Sequence, residues 1–246
     1  KRTAVGRAVF VAGSMGPTSK MLSLTPDVNS PEYRAITFDE MAHSYAEQTK
    51  GLIDAGVDLL LVETIFDGLN AKAALYAISS VQEERGTEIP VMISATINDR
   101  QGRILTGIHV EELYQALSHY PILSFGLNCS FGAADMEPVI ASLAGKLPCA
   151  VSIYPNAGLP DTLAGYPETP EITADLVRNI ARKGYLNIAG GCCGTTPDHI
   201  RAIKAALEGI PPRRFGATTP QAPTDSLFVN VGERTNVAGS RKFAKL

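Results

Sequence analysis

Short apolar runs alternate with helix-like segments along this chain, and each run stops at small or polar residues. The runs cover residues 8–12, 59–63, 91–96, 123–128, 150–154 and 186–189. They end at Gly13-Ser14, Glu63-Thr64, Asn98-Asp99, Asn128-Cys129, Pro155-Asn156 and Gly190-Gly191. Helix signals follow most of them. Thr37-Phe38-Asp39-Glu40 has the form of a capping box opening a helix toward Ala55, with Gly56 as its stop. Further helices are expected from Asp67, Glu111, Asp135 and Pro170, and Thr196-Pro197 supplies an N-cap and a first helical residue. Near-continuous apolar strands separated by helices predict an α/β fold with a parallel sheet. About six βα units are visible, whereas a closed (β/α)8 TIM barrel requires eight. The chain opens almost directly on a strand, without an initiator methionine. The expectation is therefore a TIM barrel incomplete at its N-terminus, with about two units upstream. A doubly wound open sheet accommodates the same strand count.

Composition narrows the class. With 45% hydrophobic residues, 19% charged residues and a net charge of −3, nothing favours a nucleic-acid partner. The longest apolar stretches, such as Leu59-Leu60-Leu61-Val62, are strand-sized, so no membrane span is expected. Four cysteines in 246 residues do not make a disulfide framework. A reducing, cytoplasmic location is the natural setting for them, and there clustered thiols mean metal or catalysis.

The cysteines fall at informative places. Asn187-Ile188-Ala189-Gly190-Gly191-Cys192-Cys193-Gly194-Thr195-Thr196-Pro197 puts two adjacent thiols where a strand gives way to a helix. Cys129, in Gly126-Leu127-Asn128-Cys129-Ser130, ends another strand in the same way. Parallel α/β folds keep their chemistry at that rim. Three converging thiols are three zinc ligands with a fourth position open, the pattern of a catalytic zinc. The competing reading makes them small buried fillers. Cys149 precedes its strand, at the opposite end, and is read as packing. Glu63 ends a strand on the same rim, where it can hold a substrate ammonium or simply start a helix. Thr64, Asn128 and Asn156 lie at strand ends as candidate binding residues, Asn156 equally as a turn residue. His199, in the first turn after the cysteine loop, is read as a surface or capping residue rather than a ligand.

The segments Gly126-Leu127-Asn128-Cys129 and Gly190-Gly191-Cys192-Cys193-Gly194-Thr195-Thr196-Pro197-Asp198-His199-Ile200 resemble the homocysteine S-methyltransferase family. Gly13-Ser14-Met15-Gly16-Pro17-Thr18, Val62-Glu63-Thr64-Ile65-Phe66-Asp67 and Tyr154-Pro155-Asn156-Ala157-Gly158 also fit. The resemblance implies that Cys129, Cys192 and Cys193 bind zinc and that homocysteine adds its sulfur as fourth ligand. It implies that Glu63 holds the substrate's α-ammonium. The family's Asp-Gly-rich first-strand motif has no counterpart here, which implies that this chain alone binds homocysteine weakly or not at all.

Residues 1–209 are thus expected to form a partial homocysteine-binding, zinc-carrying domain, with a proline-rich linker at 210–225. Residues 226–246 are read as the truncated start of a second barrel. Asp225-Ser226-Leu227-Phe228-Val229-Asn230-Val231-Gly232-Glu233-Arg234-Thr235-Asn236-Val237 resembles the opening of the pterin-binding domain, with Glu233 and Asn236 matching residues near its folate site. That domain order is similar to the cobalamin-dependent methionine synthases. It implies methylcobalamin as methyl donor, regenerated from methyltetrahydrofolate, and partner modules that bind cobalamin and pterin. The alternatives are a cobalamin-independent methyltransferase using betaine or S-methylmethionine, and a non-enzymatic zinc-binding domain.

Overall fold

The computed structural model describes residues 2–4, 7–160 and 165–215. The segment resembling a pterin domain, with Glu233 and Asn236, lies outside the described residues. Strands β1 (Arg2–Ala4) and β2 (Arg7–Val9) form an antiparallel hairpin. There follow β3 (Ala12–Met15), α1 (Phe38–Asp54), β4 (Leu59–Ile65), α2 (Gly68–Arg85), β5 (Val91–Ala95) and α3 (Val110–Leu117). The chain continues through β6 (Ile122–Gly132), α4 (Ala133–Lys146), β7 (Ala150–Asn156), α5 (Pro170–Arg182), β8 (Ile188–Ala189) and α6 (Pro197–Ala206).

Six strands, β3 to β8, make one parallel sheet in strict sequence order. Every crossover advances to the next neighbour, without the reversal that a doubly wound sheet contains. Among the described residues no pairing joins β3 to β8, so what is present is a six-stranded wall rather than a closed cylinder. Register puts Val62, Ile93, Phe125 and Val151 side by side on the face that packs against the helices. By the two-residue period of a strand, Ser94, Gly126 and Ser152 share the opposite face. No helix among the described residues is long and apolar enough to cross a membrane.

The helix ends follow local chemistry. Thr37 and Glu40 form the capping box of α1, and Gly56 takes φ 75° beyond its last turn. Asp67, 1% exposed, caps α2 through Leu69 N and Asn70 N, and also accepts from the Ser23 amide and hydroxyl. It thereby pins the loop after β3 to the start of α2. Thr169 caps α5, and Pro170 and Pro197 open α5 and α6.

The first two strands depart from the sequence reading. The run at 8–12 is divided: Arg7–Val9 joins the hairpin, and the sheet strand begins at Ala12 and continues through Gly13-Ser14. Gly13 is a strand residue there, not a turn. A Cβ on it would stand 3.1 Å from Leu52 and 3.2 Å from Val57, so its absence lets α1 approach the sheet. Strand β6 likewise runs on past Asn128 to Gly132.

Both β4 and β6 carry bulges at their C-terminal ends. Pairing moves from Val62↔Ile93 to Ile65↔Ala95, and from Asn128↔Tyr154 to Gly132↔Asn156. The extra residues take left-handed backbone: Thr64 at φ 58°, Cys129 at 63° and Ser130 at 62°. Such conformations cost of order 1–3 kcal/mol each for residues with a Cβ, and bulges of this kind re-aim side chains next to functional sites.

At the other end of the strands, Arg213 is 7% exposed. Its guanidinium donates to the carbonyls of Ala144, Leu147 and Cys149, and its backbone bonds to Leu186 and Asn187. Part of the stretch read as a linker is thus anchored to the base of the sheet and to the C-terminal end of α4. Replacing Arg213 by Ala removes three charge-assisted bonds and is expected to cost about 2–4 kcal/mol. Urea unfolding measures this, and an unchanged midpoint would contradict the anchoring role.

Candidate metal and substrate site

The three rim cysteines meet. Cys129 Sγ lies 3.7 Å from Cys193 Sγ, which lies 4.0 Å from Cys192 Sγ, and all three sulfurs fall within 4.8 Å of one another. A tetrahedral zinc with Zn–S bonds of about 2.3 Å sets its sulfurs about 3.8 Å apart, so this donor set fits that ion. Cys129 and Cys192 are half-buried and Cys193 is exposed, which leaves the cluster open on one side.

The loop that carries Cys192 and Cys193 is held by the end of β7. Gly190 N donates to Ile153 O (3.0 Å), Cys192 N to Pro155 O (2.8 Å) and Ala157 N to Cys193 O (2.9 Å). Asn156, 3% exposed, accepts from Cys193 N at 3.1 Å. Gly194 takes φ 78°, and a Cβ there would stand 2.2 Å from the ring of Tyr166. These ties let two consecutive cysteines aim at one point, where an extended strand would send them to opposite faces.

Electrostatics favour a cation at that point. Burial, the nearby Cys129 and the other thiol push Cys192 up to about 12. Three thiolates therefore do not coexist here without a positive charge to join them. Cys149, by contrast, is buried at the far end of the strands beside Tyr114, and burial raises its thiol.

Asn128 is completely buried beneath the cluster. Its Oδ1 accepts from Thr64 N (3.0 Å) and Ser94 Oγ (2.8 Å). Its Nδ2 donates to Thr64 Oγ1 (2.8 Å) and, at 3.8 Å, to Cys192 Sγ. Both the amide and the hydroxyl of Thr64 are therefore taken up by Asn128. Glu63 is half-buried on the rim and accepts from the Ser14 hydroxyl. Tyr154 lies under Gly190, and burial, with Glu63 nearby, pushes its phenol up to about 12.

His199 is buried, at 6% exposure, rather than on the surface. Its Nδ1 faces the Thr196 amide and hydroxyl, while Nε2 meets Glu168 O at 3.0 Å. Both ring nitrogens are used in holding the start of α6, in line with the capping reading. Tyr166 is a site residue that sequence reasoning missed. The Cys193 thiol beside it raises its phenol above the ordinary value, as do burial and the other two thiols. Standing between Gly165 and Pro167, it belongs to no periodic pattern, and only its place in a rim loop marks it.

Comparison with solved structures finds the same fold in the homocysteine methyltransferase MmuM from Escherichia coli. The apo form aligns with a TM-score of 0.62 at 22% identity, over 82% of this chain and 64% of that one. The metallated form aligns with a TM-score of 0.57 at 24% identity, over 82% and 62%. The chain thus spans less than two thirds of the length of either. A sequence model of the homocysteine S-methyltransferase family matches residues 1–207, which include the three cysteines and Glu63. The chain belongs to the homocysteine S-methyltransferase family, a family of methyltransferases.

Proposed function

We propose that this chain provides the homocysteine site of a methionine-forming methyltransferase, with zinc bound by Cys129, Cys192 and Cys193. The observation that carries the reading is the sulfur spacing, which matches one tetrahedral ion with a position left over. Zinc, when bound, supplies Lewis acidity that holds a substrate thiol as thiolate at neutral pH.

The chain's own residues do the rest. Glu63 offers a carboxylate at the rim for the substrate's α-ammonium, a charge-assisted pair. Ser14, donating to Glu63, keeps that carboxylate from turning away. Asn156 fixes the backbone of Cys193, and Asn128 and Thr64 frame the floor between the carboxylate and the sulfurs. Homocysteine oriented in this way presents its sulfur to the methyl donor. The thiolate sulfur attacks the methyl carbon, the bond from that carbon to the donor breaks with its electron pair staying on the donor, the thiol proton is released to solvent, and methionine leaves.

For the donor we propose methylcobalamin, regenerated from methyltetrahydrofolate by partner modules. The support is the resemblance of Asp225–Val237 to the start of a pterin-binding domain, in which Glu233 and Asn236 match residues near the folate site. A cobalamin-independent donor is the alternative reading. A methyl-transfer assay with each donor in turn separates the two. Turnover with betaine or S-methylmethionine, and none with methylcobalamin, would overturn the cobalamin assignment.

Three outcomes follow from the site. Cys193→Ala is expected to lose bound zinc while keeping the far-UV circular dichroism of the parent; near-stoichiometric zinc in the variant would remove that thiol from the metal site. Glu63→Gln is expected to retain zinc and to weaken homocysteine binding roughly 10- to 100-fold by calorimetry. Equal affinity would take Glu63 out of the substrate site. Because protons compete with metal for the sulfurs and the Cys192 thiol is raised, zinc affinity is expected to rise with pH and proton release to accompany uptake. A pH-independent affinity between pH 6 and 8 would argue against thiolate ligation.

A further inference from the structure

The proposed site has two halves, a sulfur cluster at the ends of β6 and β8 and a carboxylate at the end of β4. Nothing in the motif pattern explains how their spacing is kept. Glu63 and Cys129 lie on strands separated by β5, and each sits at a bulge with left-handed backbone at non-glycine residues. Bulged ends of this kind have lost the regular ladder that normally locks a strand in register.

One buried side chain spans the gap. Asn128 precedes Cys129 in the chain and stands at the base of the β6 bulge. Its amide makes a two-point clamp on Thr64, accepting from the backbone N–H at 3.0 Å and donating to Oγ1 at 2.8 Å. Thr64 is the left-handed residue of the β4 bulge and the immediate neighbour of Glu63. The second Nδ2 hydrogen points to Cys192 Sγ, at 3.8 Å, and Ser94 of β5 holds Oδ1 from the other side. All four hydrogen-bonding positions of the amide are filled, at a residue with no exposed surface. A primary amide is the only common side-chain group that both accepts from N–H and Oγ–H groups and donates to a hydroxyl and a sulfur from one planar unit.

We propose that Asn128 is a positioning residue that couples the β4 bulge bearing Glu63 to the sulfur cluster, so that one buried amide sets both halves of the site. The proposal rests on the zinc reading above. It assigns Thr64 a specific part: its hydroxyl is the anchor that keeps Nδ2 turned toward Cys192. Thr64 therefore influences metal affinity although its own bonds, to Asn128, reach no sulfur.

The test compares Thr64→Val, Thr64→Ser and Asn128→Ala with the parent chain. Zinc affinity is read by competition with a chromophoric chelator, and the thiolate-to-metal charge-transfer band is read in the cobalt(II)-loaded proteins. Thr64→Val keeps the shape and the β-branch but loses the hydroxyl. It is expected to weaken zinc roughly tenfold and to shift the cobalt band. Thr64→Ser restores the hydroxyl and is expected to match the parent. Asn128→Ala, which breaks the whole clamp, is expected to lose 10- to 100-fold, the range typical of residues that orient metal ligands. Should Asn128→Ala fail to fold, the Thr64 pair decides the matter alone. Parental zinc affinity and an unshifted band in Thr64→Val would overturn the coupling while leaving the metal site standing. A parent chain that takes up no zinc would overturn the metal reading and the coupling with it.

Discussion

Holding three thiolates in a space under 5 Å wide is unfavourable unless a cation joins them, and much of this fold serves to keep the three sulfurs together. The cost shows in Cys192, whose thiol resists ionisation because it is partly buried and faces another thiol. A flexible loop would relax by letting the sulfurs drift apart. Here the loop after β8 is bonded at four points to the end of β7, and Cys129 is fixed on a bulged strand in the same sheet. The three sulfurs are thus held close together by backbone bonds of the fold itself.

That rigidity comes from the sheet beneath. Parallel strands in strict sequence order bring all their C-terminal ends to one rim, and the helices they alternate with bury the apolar face. The rim is then free to carry polar and strained residues. Strain at Thr64, Cys129 and Ser130 is tolerated because Phe125, Leu127, Ile93 and Val62 are fully or nearly fully buried just below. Stability sits low in the strands and chemistry sits at their tips. Arg213 closes the opposite end, tying the chain beyond α6 back to the sheet.

What the sequence showed well was whatever rests on local rules. The capping box at Thr37, the stop at Gly56, the Thr196-Pro197 start of α6 and the apolar runs of β5 and β7 are all short-range signals. The cysteines were legible because thiols at strand ends are rare and chemically specific. Bulges were not legible, since a two-residue period says nothing of an inserted residue, and β6 therefore ran four residues past its expected end. Gly13 reads as a turn in the sequence because the side chains that require it, Leu52 of α1 and Val57 just beyond, are some forty residues away. Arg213 and Tyr166 act through partners distant in sequence, and no local pattern announces such contacts. Asn128 is marked in the sequence by its place at a strand end, but its bonds to Thr64 and Ser94 emerge only when the strands are laid side by side.

The central claim is that three thiolates of this chain hold one zinc and leave one position open. X-ray absorption at the zinc edge tests it most directly. Three sulfur neighbours at about 2.3 Å and one lighter oxygen or nitrogen neighbour are expected in the zinc-loaded protein, changing to four sulfurs when homocysteine is added at saturation. Four sulfur neighbours before any substrate, or a first shell of oxygen and nitrogen alone, would contradict it.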